Sequence, residues 1–276
     1  MLKYKVPENY EKIDVETCRK ISLDIIVDVA RFCKKNNIRY YLSVGTLLGA
    51  IRHKGYIPWD DDIDIMMPRP DYKRFLETYN HPDYKVYKPS EGRFYYAKVY
   101  DTHTKKFESD VDYNKYKPIG VDIDVFPLDG MVNDSEIIDK LYKKECFLEQ
   151  LLRLSNQPIF NRKNPIKAIN RIIPRMIGSK NLVKMIEKNA QTYDYDTSDY
   201  VVRMRWSPYG FTGALPKKVY EPSTAEFEGH AFVIPKDYDT WLKSFFGDDY
   251  MVIPPKEKQI THLFDCYREK DEKEIS

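Results

Sequence analysis

The sequence predicts an α/β protein, a mixed sheet flanked by helices and interrupted by a helical insert. Three observations carry this reading. Amphipathic helical spacing over residues 14–37 gives way to short runs rich in Val, Ile and Tyr, two of those runs alternate acid with apolar residue, and residues 134–194 show helical spacing with little strand signal. The 276 residues are read as one domain: a core at about 14–133, completed by 196–265, with the insert at about 134–195.

Each element has its own signal. Val15, Cys18, Ile21, Ile25, Val29 and Phe32 recur at three and four, with acids early and Lys34 and Lys35 late, which makes an amphipathic helix. Arg39 to Val44 reads as a buried strand entering Gly45-Thr46, a tight turn. A short helix from Leu47 to about His53 then runs until Gly55 and Pro58 break it. After the first carboxylate strand, at Asp62 to Met67, Pro70 to Tyr79 suits a helix with Pro in its first turn. Tyr84 to Lys88 and Phe94 to Asp101 read as strands. Gly120 to Gly130 repeats the alternation of acid and apolar residue, with Asp129 before Gly130 taken as a turn. Tyr200 to Trp206 and Glu226 to Ile234 return to strand character, Gly229 marking a turn, and Asp237 to Phe246 is a closing helix.

Composition excludes several classes. With 45 basic and 43 acidic residues the net charge is +2, which argues against a dedicated nucleic-acid binder. Cys18, Cys33, Cys146 and Cys266 lack C-x-x-C spacing, so neither a zinc site nor a disulfide framework is expected. No signal peptide and no 18-residue apolar run is present, which predicts a cytoplasmic protein.

The chemistry is concentrated in Ser43 to Met67, where Asp60, Asp61, Asp62 and Asp64 fall within five residues. On a strand, Asp62 and Asp64 share one face with Cα atoms roughly 6 to 7 Å apart. Two bare carboxylates about 5 Å apart at an effective dielectric near 20 repel by roughly 3 kcal/mol, so a cation is expected. All-oxygen ligands without paired His or Cys select Mg²⁺ or Mn²⁺. An EF-hand is excluded, since its sixth position is Ile65 and its twelfth Asp71, where that loop needs Gly and Glu. A third carboxylate is expected from the second strand, either Asp122 or Asp124. The Gly45-Thr46 turn is suited to phosphate oxygens, and Arg52 and Lys54 to a diphosphate.

The run from Gly45 to Ile65 closely resembles the signature of the LicD family, phosphocholine transferases with a nucleotidyltransferase-type fold. Phe227 to Pro235, Phe246 to Met251 and Pro254 to Lys258 resemble the end of that family. The resemblance implies a nucleotidyltransferase-like sheet and Mg²⁺-dependent transfer of phosphocholine, or a similar phospho-alcohol, from CDP-choline or another CDP-alcohol. The acceptor implied is a hydroxyl of a glycan, lipid-linked glycan or teichoic-acid precursor, with release of CMP. Asp62, Asp64, Asp122 and Asp124 then hold the metal and do the catalysis, while Trp59, Trp206 and Tyr209 are candidates for a choline pocket. A metal-dependent glycosyltransferase also uses Asp-x-Asp but leaves the Gly-Thr turn unexplained, and a choline- or glycan-binding module would bind without metal. Finally, Arg162 to Lys188 holds eight basic residues and one acid among several Ile and Met. It is expected to dock on an anionic membrane at its inner face through Lys167, Arg171 and Arg175.

Overall fold

The computed structural model describes residues 6, 8–108, 111–158, 166–204, 213–259 and 264–270. β1 (Tyr10–Ile13) leads into α1 (Val15–Lys35), which starts where the Asp14 carboxylate accepts a hydrogen bond from the Thr17 amide at 2.8 Å. Its apolar stripe, including Ile25, Ile26, Val29 and Cys33, enters the main core as the spacing predicts. Next come β2 (Tyr41–Leu42), α2 (Val44–Arg52), β3 (Asp64–Pro68) and α3 (Arg69–Thr78). β4 (Tyr84–Tyr87), β5 (Ala97–Asp101), β6 (Thr104–Glu108) and β7 (Asp122–Met131) follow. The helical segment consists of α4 (Ser135–Asn156), α5 (Ile166–Ile177) and α6 (Ser179–Ala190). The chain continues through β8 (Tyr200–Val202), β9 (Leu215–Pro216), β10 (Pro222–Phe227), β11 (His230–Pro235), α7 (Tyr238–Phe246) and β12 (Phe264–Glu269).

The fold is a mixed α/β sheet flanked by helices. Its strands lie in the order β2-β3-β7-β5-β4, with β8 on the far half of β7 and β9 beyond it. β3 and β7 are parallel, and Asp64 stands opposite Asp124. β5 runs antiparallel to β7, with Lys98 opposite Asp124 and Tyr100 opposite Asp122. Because side chains alternate across a strand, Asp64, Asp122, Asp124 and Lys98 fall on one face of the sheet. β1, β12 and β6 form a second small sheet, absent from the sequence reading.

Three expectations change. The strand foreseen over Arg39 to Val44 shortens to two residues, and α2 begins at Val44, so Gly45 and Thr46 lie in its first turn. Val44, at φ 45°, carries the abrupt change of direction, a costly conformation for a β-branched residue. Asp129 is no turn residue: β7 runs through it to Met131. Its carboxylate accepts two hydrogen bonds from the Arg69 guanidinium, at 2.6 and 2.7 Å. Gly130 keeps the strand going, since a Cβ there would sit 2.3 Å from the Asp194 carbonyl oxygen.

The third change concerns the basic segment. Arg171 is buried and donates to the Pro158 carbonyl, while Arg175 donates to the Gln157 carbonyl and pairs with Asp112. These two cations tie α5 to the protein, and its exposed side chains include Ile172, Ile173 and Met176. The exposed lysines of the segment, Lys180, Lys184 and Lys188, sit on α6, and the side chain of Lys167 lies outside the described residues. Among the described residues no helix is long and apolar enough to cross a membrane.

The Arg69–Asp129 pair is the most completely desolvated of these, its side chains 7% and 2% exposed. Removing Asp129 leaves a buried charge on Arg69, with Glu187, at 3.6 Å, the remaining carboxylate beside it among the described residues. Asp129→Ala should therefore lower stability by about 3 to 5 kcal/mol, read from the urea midpoint. A loss below about 1 kcal/mol would show that Glu187 suffices for Arg69.

Candidate active site

The acidic loop is held on every side before β3 begins. The Asp64 amide donates to the Thr46 hydroxyl oxygen at 2.8 Å, the Ser43 amide to the Asp64 carbonyl at 2.9 Å, and the Asp124 amide to the Ile63 carbonyl at 2.8 Å. Arg19 reaches from α1, its Nε donating to the Asp60 carbonyl at 3.0 Å and its Nη2 to the Pro58 carbonyl at 3.0 Å. Gly45 is glycine for a reason of space: a Cβ there would lie 2.4 Å from Oδ2 of Asp60. The Asp60 carboxyl thus rests on the first turn of α2.

One carboxylate oxygen from each of Asp60, Asp61 and Asp62 falls within 4.8 Å of the others. Asp64, Asp122 and Asp124 line the same cleft, about 1440 Å³ in volume. Two lysines enter from the sheet. Lys98 Nζ donates to Asp122 and Asp124, and Lys106 Nζ donates to the other oxygen of Asp122 at 3.1 Å. The electrostatics divide accordingly. Burial, then the charges of Asp62, Asp64 and Asp61, push the Asp60 carboxyl up to about 9. Burial would also raise Asp122, but Lys106 and Lys98 hold it well below the usual carboxylate range. Burial likewise opposes the charge on Lys98, yet Asp122 and Asp124 keep it firmly protonated.

The other predicted residues separate. Gly45, Arg52 and Trp59 line the cleft. The Arg52 guanidinium lies 6.0 Å from the Trp59 ring centre and donates to the Tyr250 carbonyl at 2.7 Å. Thr46 is buried and accepts from Asp64, and Lys54 is exposed; neither lines the cleft. Trp206 and Tyr209 lie outside the described residues. Sequence reasoning missed Lys98 and Lys106, and gave Asp60 and Asp61 no part as ligands. One signal was available: Lys98 interrupts the apolar run Tyr96-Ala97-Lys98-Val99 of a core strand, where an unpaired charge is prohibitive.

A hard divalent cation fits this donor set. The ligand atoms are all oxygen, and those of Asp60, Asp61 and Asp62 converge.

Comparison with known proteins places this geometry. A family model described as LicD/FKTN/FKRP, nucleotidyltransferase domain, matches residues 37–166. The lipopolysaccharide cholinephosphotransferase LicD of Haemophilus influenzae is 31% identical over 266 residues, covering 91% of this chain and 97% of the relative. The chain belongs to the LicD family. An uncharacterised protein of Rickettsia prowazekii is 44% identical over 59 residues, 21% of this chain and 22% of its own length. One from Rickettsia typhi is 38% identical over 65 residues, 22% and 21% respectively. Gly45, Asp60, Asp61, Asp62, Asp64, Asp122 and Asp124, which line the cleft, all lie within the residues that the family model matches.

The raised Asp60 carboxyl has a consequence for stability with a definite sign. Between the ordinary carboxylate range and about 9, the folded protein keeps a proton that the unfolded chain has lost, so this group lowers metal-free stability as pH rises through that window. From about pH 5 to about pH 8, the melting temperature of metal-free Asp60→Asn should fall less than that of the wild type. Parallel curves would remove Asp60 as the source.

Proposed function

We propose that the chain transfers phosphocholine, or a similar phospho-alcohol, from a CDP-linked donor to a hydroxyl of a lipopolysaccharide or related cell-surface glycan. The observation that carries this reading is the likeness, along nearly the whole chain, to the Haemophilus lipopolysaccharide cholinephosphotransferase. In the reaction the acceptor oxygen bonds to the phosphorus bearing the choline, the diphosphate P–O bond breaks, CMP leaves, and the acceptor proton passes to a carboxylate.

Asp62 and Asp64, with Asp124 in register on the neighbouring strand, are the residues suited to hold Mg²⁺, and Asp60 adds a fourth oxygen donor. When bound, the ion neutralises charge on the transferring phosphoryl group and on the departing CMP. Asp122 is a poor proton acceptor, since both its oxygens accept from lysine. Arg52 on the cleft wall offers its charge to the diphosphate, in place of the outlying Lys54. Trp59 and Tyr95 present rings to the cleft, as a quaternary ammonium requires.

The test is a donor comparison with lipopolysaccharide as acceptor. CDP-choline plus Mg²⁺ should release CMP in step with phosphocholine incorporated, chelator should stop both, and Asp64→Asn should lower kcat by about 10³ or more while the metal-free melting temperature holds or rises. UDP released from a UDP-sugar, with no CMP from CDP-choline, would overturn the assignment in favour of glycosyl transfer.

A further inference from the structure

The chain carries two Asp-x-Asp pairs of identical spacing, Asp62 and Asp64 where the acidic loop enters β3, and Asp122 and Asp124 at the start of the adjacent parallel strand β7. By spacing alone each pair can chelate a divalent ion, and two ions a few ångströms apart would share Asp64 and Asp124 between them. The structure treats the pairs differently. The second already holds a cation of the protein's own: Lys98 Nζ bridges Asp122 and Asp124, and Lys106 takes the remaining oxygen of Asp122.

We propose that Lys98 stands where a second metal ion would, so that the site takes a single divalent cation. This rests on the metal-dependent reading of the cleft and adds the count and the reason for it. Two carboxylates and two ammonium groups are already balanced, so the pair has no net charge with which to draw a dication. The lysine is also held by its neighbours on the cleft wall. Lys98 is 5% exposed, and its Nζ lies 4.9 Å from the ring centre of Phe94 and 5.5 Å from that of Tyr96. Lys106 is fixed in the same way, 4.8 Å from the ring centre of Phe264. A metal entering here would have to strip a buried ammonium of its proton or displace it from two carboxylates into the cleft. What the ammonium supplies instead is a permanent positive charge that orients Asp124 toward Asp64 without occupying a coordination position.

Lys98 is therefore a positioning residue, and its test reads ion stoichiometry in place of turnover. Mn²⁺ is titrated into metal-free protein by calorimetry, and bound ion is counted by electron paramagnetic resonance. The wild type should bind one ion per chain, and Lys98→Arg, which keeps the charge, should also bind one. Lys98→Met keeps the length of the side chain but removes the ammonium, and should bind two, with the spin coupling of neighbouring Mn²⁺ ions. Circular dichroism checks that each variant is folded. Two ions on the wild type would overturn this inference and leave the metal-dependent reading intact, whereas no ion on the wild type would overturn both. A folded Lys98→Met that still binds one ion would also overturn it, and the wild-type count decides the matter if that variant does not fold.

Discussion

Repulsion among Asp60, Asp61, Asp62, Asp64, Asp122 and Asp124, which line one cleft, is the constraint on which the rest of this structure depends. Any two of them about 5 Å apart in a medium of effective dielectric near 20 oppose folding by roughly 3 kcal/mol. The fold meets the repulsion in two different ways. On β7 it supplies lysines from β5 and β6. The loop before β3 is held instead by backbone clamps, with Arg19 bonded to carbonyl oxygens and Asp60 resting on Gly45. That asymmetry leaves the β7 pair neutralised by lysine and the loop positioned by its backbone.

The clamps extend far along the chain. Gly49 is required because a Cβ would lie 2.5 Å from the Gly55 carbonyl oxygen, and Gly55 in turn sits under the Glu228 side chain. The Glu228 carboxylate accepts from the Tyr56 amide at 2.9 Å, and the Glu228 amide donates to the Lys54 carbonyl at 2.9 Å. Glu228 and Gly229 have φ of 49° and 75°, the geometry of a tight two-residue hairpin turn between β10 and β11. Arg52 continues the connection to the carbonyls of Tyr250 and Val252. The two family-like segments, some 180 residues apart, are thus one physical unit: the C-terminal hairpin and tail hold the acidic loop in place.

Much of this was legible in the sequence because it is local. The period of α1, the two acid-alternating strands, the glycine of the hairpin and the closing helix α7 each announce themselves within a few residues. What was illegible depends on partners far away. Asp129 before Gly130 looks like a turn until Arg69 is seen beside it. Lys98 interrupts the apolar run of its strand, but its partners are unknown until β7 brings Asp122 and Asp124 to it. The small sheet joins residues near both ends of the chain, and none of its strands has a strong pattern of its own. Arg171 and Arg175 misled for the related reason that a count of cations does not say which way they face.

The same logic gives the helical insert a place in the chemistry. Lys143, Cys146, Phe147, Gln150 and Arg153 recur at three and four along α4, and that face forms a wall of the cleft that also holds the aspartates. Phe147, 60% exposed, stands on that wall, and Val252 and Ile253 on the tail are exposed in the same cleft. At about 1440 Å³ the space exceeds the roughly 300 to 1,000 Å³ of a usual small-molecule pocket. Direct transfer between two bound substrates needs room of this kind, since donor and acceptor must lie together with the attacking oxygen in line with the breaking bond. The sheet brings the charged groups to this cleft, and α4 and the tail form its walls.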